Sequence, residues 1–114
     1  MSNIKLVIDN NILIGKNKFF IKKELQSIFH LYSKMVSNGS WKDYSLSSGS
    51  KEVSFDVYKR ASDRPFLRIS KNLKPKYYNE RFVIKDTNGN IIKKSEDLSN
   101  LISKTSWNNL KLVK

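Results

Sequence analysis

Cysteine is absent from this chain of 114 residues. Disulfides, thiolate zinc sites and a cysteine nucleophile are therefore excluded, and a reducing compartment suits the absence. Histidine occurs once, as His30. A histidine metal cluster has no second imidazole, and a thiol–imidazole pair has no thiol. His30 falls on a helix flank, where solvation is explanation enough. Glycine occurs four times, never with the spacing of a phosphate-binding loop. Acid is scarce, with ten Asp and Glu against 22 Lys and Arg. The carboxylates are dispersed, and the adjacent Glu96 and Asp97 serve as charge at a helix start. The expectation is a protein that is not an enzyme and holds no cofactor or metal. Long apolar runs are also missing, because Asp9, Asn10 and Asn11 interrupt "IKLVIDNNILIG". Neither a signal peptide nor a membrane span is expected, and the protein is placed in the cytoplasm.

Positive charge is what the chain has instead. The formal net charge is +12, a balance that favours nucleic acid, anionic lipid or an acidic protein as partner. Lys, Ser, Asn and Ile make up half of the chain. Lys, Asn and Ile are what an AT-rich coding sequence writes by default, so composition explains part of the charge. The arginines resist that explanation. All four (Arg60, Arg64, Arg68 and Arg81) fall within 22 residues, where a planar guanidinium suits carboxylate, phosphate or stacking.

The length predicts one domain, with a single core. The apolar runs around Asp9–Asn11 predict a hairpin or an extended arm over residues 1–18. Ile21, Leu25, Ile28, Phe29, Tyr32, Met35 and Val36 recur in steps of three and four, predicting a helix over 22–37. Asn38-Gly39 tolerates the left-handed conformation that ends it. The period then changes to two. "SWKDYSL", "KEVSFDVYKR", "RPFLRISK" and "NERFVIKD" predict antiparallel strands, with a hairpin loop at residues 47–50 and a tight turn at Asn88-Gly89. Ile91 and Ile92 begin a returning strand. Ser95 is the expected N-cap of a short second helix bearing Leu98, Leu101 and Ile102. Trp107, Leu110 and Leu112 would make a docking tail over 103–114. The fold class is therefore α+β. An antiparallel meander of about four to six strands packs against one long helix in the N-terminal half and one short C-terminal helix.

"LYSKMVSNGSWKDYSL", residues 31–46, resembles the signature of an uncharacterised bacterial family, a domain of unknown function found mainly in alphaproteobacteria. Leu31, Tyr32, Met35, Val36, Gly39, Trp41, Asp43 and Tyr44 carry the likeness. "RPFLRISK" and "IIKKSEDL" extend it over residues 19–102. The resemblance implies a small cytoplasmic domain and brings no activity, cofactor or catalytic residue. The residues themselves make the stretch a folding joint sooner than a ligand site. Trp41 would close the corner between helix and sheet, and Asp43 would accept from the turn or pair with a cation.

The functional lead is the segment from Lys59 to Lys85, with nine basic residues and two acids in 27 positions. Strand parity puts Tyr58, Phe66, Arg68, Arg81 and Lys85 on the sheet face away from the core. Cations there would track phosphates while bases stack on rings, as in proteins that bind single strands. The expected nucleic-acid contacts are Arg60, Arg64, Arg68, Arg81, Lys71 and Lys85, with Tyr58, Phe66 and Tyr78 stacking. The sequence leaves a second reading open, an interaction domain that docks an acidic protein or a second copy of itself.

Overall fold

A computed structural model describes residues 19–60 and 64–107. The 1–18 arm, Asp63, Leu110 and Leu112 lie outside the described residues. The described chain runs α1 (Lys22–Ser37), β1 (Asp43–Ser48), β2 (Glu52–Tyr58), β3 (Leu67–Asn72), a 3₁₀ turn (Tyr78–Glu80), β4 (Phe82–Asp86), β5 (Ile91–Ser95) and α2 (Leu98–Lys104). The five strands form one antiparallel sheet in sequence order. Short connections between antiparallel neighbours make this meander the simplest closure of the chain.

The registers sort the side chains. Val57, Leu67 and Asp86 share one row; Phe55, Ile69 and Ile84 share the next; Val53, Lys71 and Phe82 the third. These rows face α1 and α2. Val53, Phe55, Val57, Leu67, Ile69, Phe82 and Ile84 join Leu25, Ile28, Leu31, Met35, Leu98 and Leu101 in one buried cluster. Truncating any of the larger side chains costs about 2–5 kcal/mol in transfer and cavity terms.

The buried line of α1 is Leu25, Ile28, Leu31 and Met35. Ile21 and Val36, expected on the stripe, are exposed, and Leu31 takes the central place. At about 100° per residue the sheet meets a narrower arc than the full apolar set spans. Ile21 has no side chain to cap with, as expected. The Glu24 carboxylate reaches back instead and accepts from the Ile21 N–H at 2.8 Å.

The end of α1 is a Schellman motif. The Gly39 N–H bonds the Val36 carbonyl at 3.0 Å and the Ser40 N–H bonds the Met35 carbonyl at 2.9 Å. Gly39 has φ +82°. The Trp41 N–H donates to the same Met35 carbonyl at 3.2 Å, which brings the indole beneath the helix end. At the β4–β5 turn, Gly89 has φ +85°, and the Asp86 carboxylate accepts from the Asn88 and Asn90 N–H groups at 2.9 Å each.

The start of α2 differs from expectation. Asp97 is the N-cap, accepting from the Asn100 N–H at 2.8 Å. Ser95 remains in β5, paired with Phe82, and its hydroxyl accepts from the Asp97 N–H at 3.2 Å. Strand pairing holds Ser95, so the helix begins two residues later than local capping preference suggests.

Lys71 is a cation in the core layer, only 3% exposed. Its ammonium donates to the Glu24 carboxylate at 2.9 Å and to the Phe19 carbonyl at 3.0 Å, tying the start of α1 to β3. Removing one partner of a buried pair strands the other charge, at about 3–5 kcal/mol. Lys71→Met should therefore lower stability by about 3 kcal/mol in urea titrations. Adding Glu24→Gln, which can still accept from Ile21, should restore most of that loss; simple additivity of the two costs would contradict the assignment. Gly39→Ala should cost about 1–2 kcal/mol through its backbone conformation alone, since an added Cβ meets nothing within 4 Å.

Candidate nucleic-acid interface

The second face of the sheet carries Asp43, Ser45 and Ser47 from β1, Glu52, Ser54, Asp56 and Tyr58 from β2, Arg68, Ser70 and Asn72 from β3, and Val83 and Lys85 from β4, as the registers require. Alternation predicts a wet face. Ser54, Asp56, Ser70 and Val83 are nevertheless buried. A lattice of polar contacts accounts for much of this. Asp56 accepts from the hydroxyls of Ser47 at 2.8 Å and Ser54 at 2.7 Å, and Arg68 Nε lies 3.6 Å away. The Tyr58 and Ser45 hydroxyls are 3.1 Å apart. Lys85 Nζ bonds Glu52 Oε1 at 3.0 Å. Glu52 and Lys85 lie on strands either side of β3, in rows either side of Ser70, so their bridge passes diagonally over Ser70.

Arg68 and Lys85 are direct register partners. Like charges so placed repel, and each is drawn toward an acid of β2. The two cations are thus already matched within the fold, and the long side chains cover the small ones between them.

The remaining sequence-derived site residues lie in several places. Tyr58 is half-buried at the edge of the second face. Arg60 and Arg64 are exposed at the β2–β3 end of the sheet. Arg81 is half-buried just before β4, its guanidinium 5.8 Å from the Phe82 ring centroid. Tyr78 is 66% exposed in the β3–β4 connection. Lys71 is held in the core layer by Glu24. Phe66 also leaves the expected face: it precedes β3 and packs against the core cluster, with Lys59 Nζ 4.9 Å from its ring centroid. Pairing parity does not bind a residue outside the strand, so its ring turns to the apolar side.

Two groups were not among the expected contacts. Tyr77 is 57% exposed beside Tyr78, in a loop that also presents Lys74 and Lys76. Pro75 was the available signal, since it takes these residues off the strands. Lys42 and Lys59 stand at the other end of the sheet, brought together by strand pairing that no local pattern reports.

Folding also sorts the charges at the surface. Among the described residues, fourteen Lys and Arg are exposed against three acids, Asp43, Glu96 and Asp97. Glu24, Glu52, Asp56 and Glu80 are in ion pairs, and Asp86 holds a turn. Each ion pair removes one cation with one acid, so the described surface keeps its strongly positive balance. No group of three His, Asp or Glu suited to a metal occurs among the described residues. Nor is any described helix long and apolar enough to cross a membrane.

The Trp41–Tyr44 stretch packs at the joint between α1 and the sheet. Phe29, Tyr32, Tyr44 and Phe55 contact one another edge-on or stacked, the Tyr44 and Phe55 rings lying 5.0 Å apart and nearly parallel. Trp41 is 3% exposed and meets Tyr32 on one side and Trp107 on the other. Asp43 is exposed and accepts from the Tyr44 N–H at 2.8 Å. Burial raises the Tyr32 phenol pKa, with Asp43 adding to it. Burial also raises that of Tyr44, followed by Tyr32 and then Asp43.

The chain belongs to the family described as "Protein of unknown function (DUF2794)", which it matches over residues 18–102. No curated protein and no solved structure matches it. The matched span takes in α1, the whole sheet and most of α2, so the family is defined on the folded unit itself.

Raised tyrosine pKa values make stability fall at high pH. Above about pH 10 the unfolded phenols ionise first, the unfolded state binds fewer protons, and stability drops until the folded phenols titrate. Denaturant midpoints should hold up to about that pH and then fall. Asp43→Asn should make the fall shallower by removing one cause of the shift; an unchanged alkaline limb would contradict its part in it.

Proposed function

We propose that this protein binds single-stranded nucleic acid with little sequence specificity. The observation that carries this reading is the exposed pair Tyr77 and Tyr78 on a loop with Lys74 and Lys76. Lys76 Nζ is 5.6 Å from the Tyr77 ring centroid. Rings of this kind stack on bases of any identity, and neighbouring cations meet the phosphates. Lys51 joins this end of the sheet through the bond from the Leu73 N–H to its carbonyl at 2.9 Å. Arg60 and Arg64 extend the positive surface at the opposite end, where a strand crossing the sheet would find further phosphate contacts, while Arg68 is shared with Asp56. Arg81 and Lys85 contribute less, being half-buried, and Lys71 contributes only to the fold.

A specific observation also favours protein docking. Ile91 is half-exposed on the edge strand β5, near Lys93 and Lys94. An acidic protein or a second copy of this chain would suit that edge.

Fluorescence anisotropy with labelled single-stranded RNA and DNA tests the main reading. Affinity should fall with salt at a log–log slope of about −0.7 per phosphate neutralised. Tyr77→Ser/Tyr78→Ser should weaken binding roughly tenfold or more, at about 1–3 kcal/mol per stacked base, with the unfolding midpoint unchanged. Absence of binding at low salt would reject the reading, and a mass that rises with concentration would then favour the docking edge.

A further inference from the structure

A cleft of about 450 Å³ opens at the β2–β3 end of the sheet, away from the Tyr77–Tyr78 loop. Its described lining is Met35, Trp41, Phe66 and Trp107, with Gly39 and Ser40 from the helix stop and Lys42 and Lys59 at the rim. The volume lies within the range of about 300–1,000 Å³ usual for small-molecule sites. No described acid lines it.

We infer that this cleft takes a planar aromatic anion, a nucleobase together with its phosphate. Three features support this. First, the walls are aromatic and held in place. Trp41 is fixed through the Met35 carbonyl, and the Trp107 indole donates to the Ile102 carbonyl at 3.0 Å. The two indoles meet edge-to-face at 5.7 Å. Second, two like charges share the rim. Asp43 pairs with Tyr58 and the Lys42 N–H bonds the Tyr58 carbonyl at 2.9 Å, so strand pairing holds Lys42 beside the end of β2, next to Lys59, and both lysines line the cleft. Like charges gathered at one rim repel, and an anion bound there relieves the repulsion. Third, Lys59 already lies over the Phe66 ring, so one ammonium can serve a ring and a phosphate together.

The inference rests on the strand-binding reading in that the base would belong to a bound strand. A free nucleotide has the same chemistry. The chain contains two tryptophans, and both line the cleft, so intrinsic tryptophan fluorescence reports on this site directly.

The experiment titrates the whole protein with uridine monophosphate, uridine, ribose 5-phosphate and a short oligouridine, following tryptophan emission alongside anisotropy of the labelled strand. Saturable emission change with the monophosphate or the oligomer, weaker with uridine or ribose 5-phosphate alone, is expected. Lys42→Glu/Lys59→Glu should weaken it about tenfold or more while leaving the unfolding midpoint unchanged, both lysines being exposed. Phe66→Leu keeps the apolar volume and should also weaken it. Strand binding with unchanged emission would overturn the cleft and leave the loop reading standing. An emission change with the monophosphate but no strand binding would support the cleft and overturn the loop reading. Neither signal would overturn both.

Discussion

The rest of the structure depends on the contact between the second half of α1 and the first two strands. The Met35 carbonyl is its hinge: it closes the Schellman turn through Ser40 and receives the Trp41 N–H. One backbone oxygen thus ends the helix, reverses the chain and fixes the indole beneath the last turn. Phe29 and Tyr32 then meet Tyr44 and Phe55 across the layer boundary. Aromatic pairs add about 0.5–1.5 kcal/mol each beyond area burial, and several share the same rings. At the other end of α1 the attachment is electrostatic, through Lys71 and Glu24. The helix is therefore fixed over the sheet at both ends by different chemistry.

That arrangement has a consequence for the surface. Acids are few, and the fold uses most of the described ones internally: Glu24 for the helix start, Asp56 and Glu52 for the second face, Glu80 for Lys94, Asp86 for the tight turn. Each cation held on the second face is matched there. Among the described residues, most cations of the strand ends and loops are exposed instead and form no ion pair. Basic character is thereby moved from the face to the two ends of the sheet, the Lys74–Tyr78 loop at one and Lys42, Lys59, Arg60 and Arg64 at the other.

The candidate site was legible in part. Arginine clustering and interleaved rings pointed to the region between Tyr58 and Lys85, and Tyr78, Arg60 and Arg64 are exposed there. The same parity argument failed at Phe66, because the ring lies one residue before the strand begins and follows the apolar surface instead. At Lys71 parity held and residue type misled instead. Alternation put that residue in the core layer, yet a lysine suggested surface, and only the proximity of Glu24 makes its burial tolerable. Ser95 shows the same conflict on a smaller scale, a good capping residue retained by strand pairing with Phe82.

The sequence by itself determined α1 from Lys22 to Ser37, its stop at Gly39, the alternation of β2 to β4 and the turn at Asn88-Gly89. Each of these follows from short-range periodicity or from backbone conformations that few residues tolerate, so a local window contains the cause. Tertiary structure alone decided which cations stay exposed, which acids are taken up inside, and the meeting of Trp41, Phe66 and Trp107 with Lys42 and Lys59. Those outcomes depend on distances between residues far apart in the chain. Coulombic and packing energies vary with separation in space, and separation along the chain does not specify it.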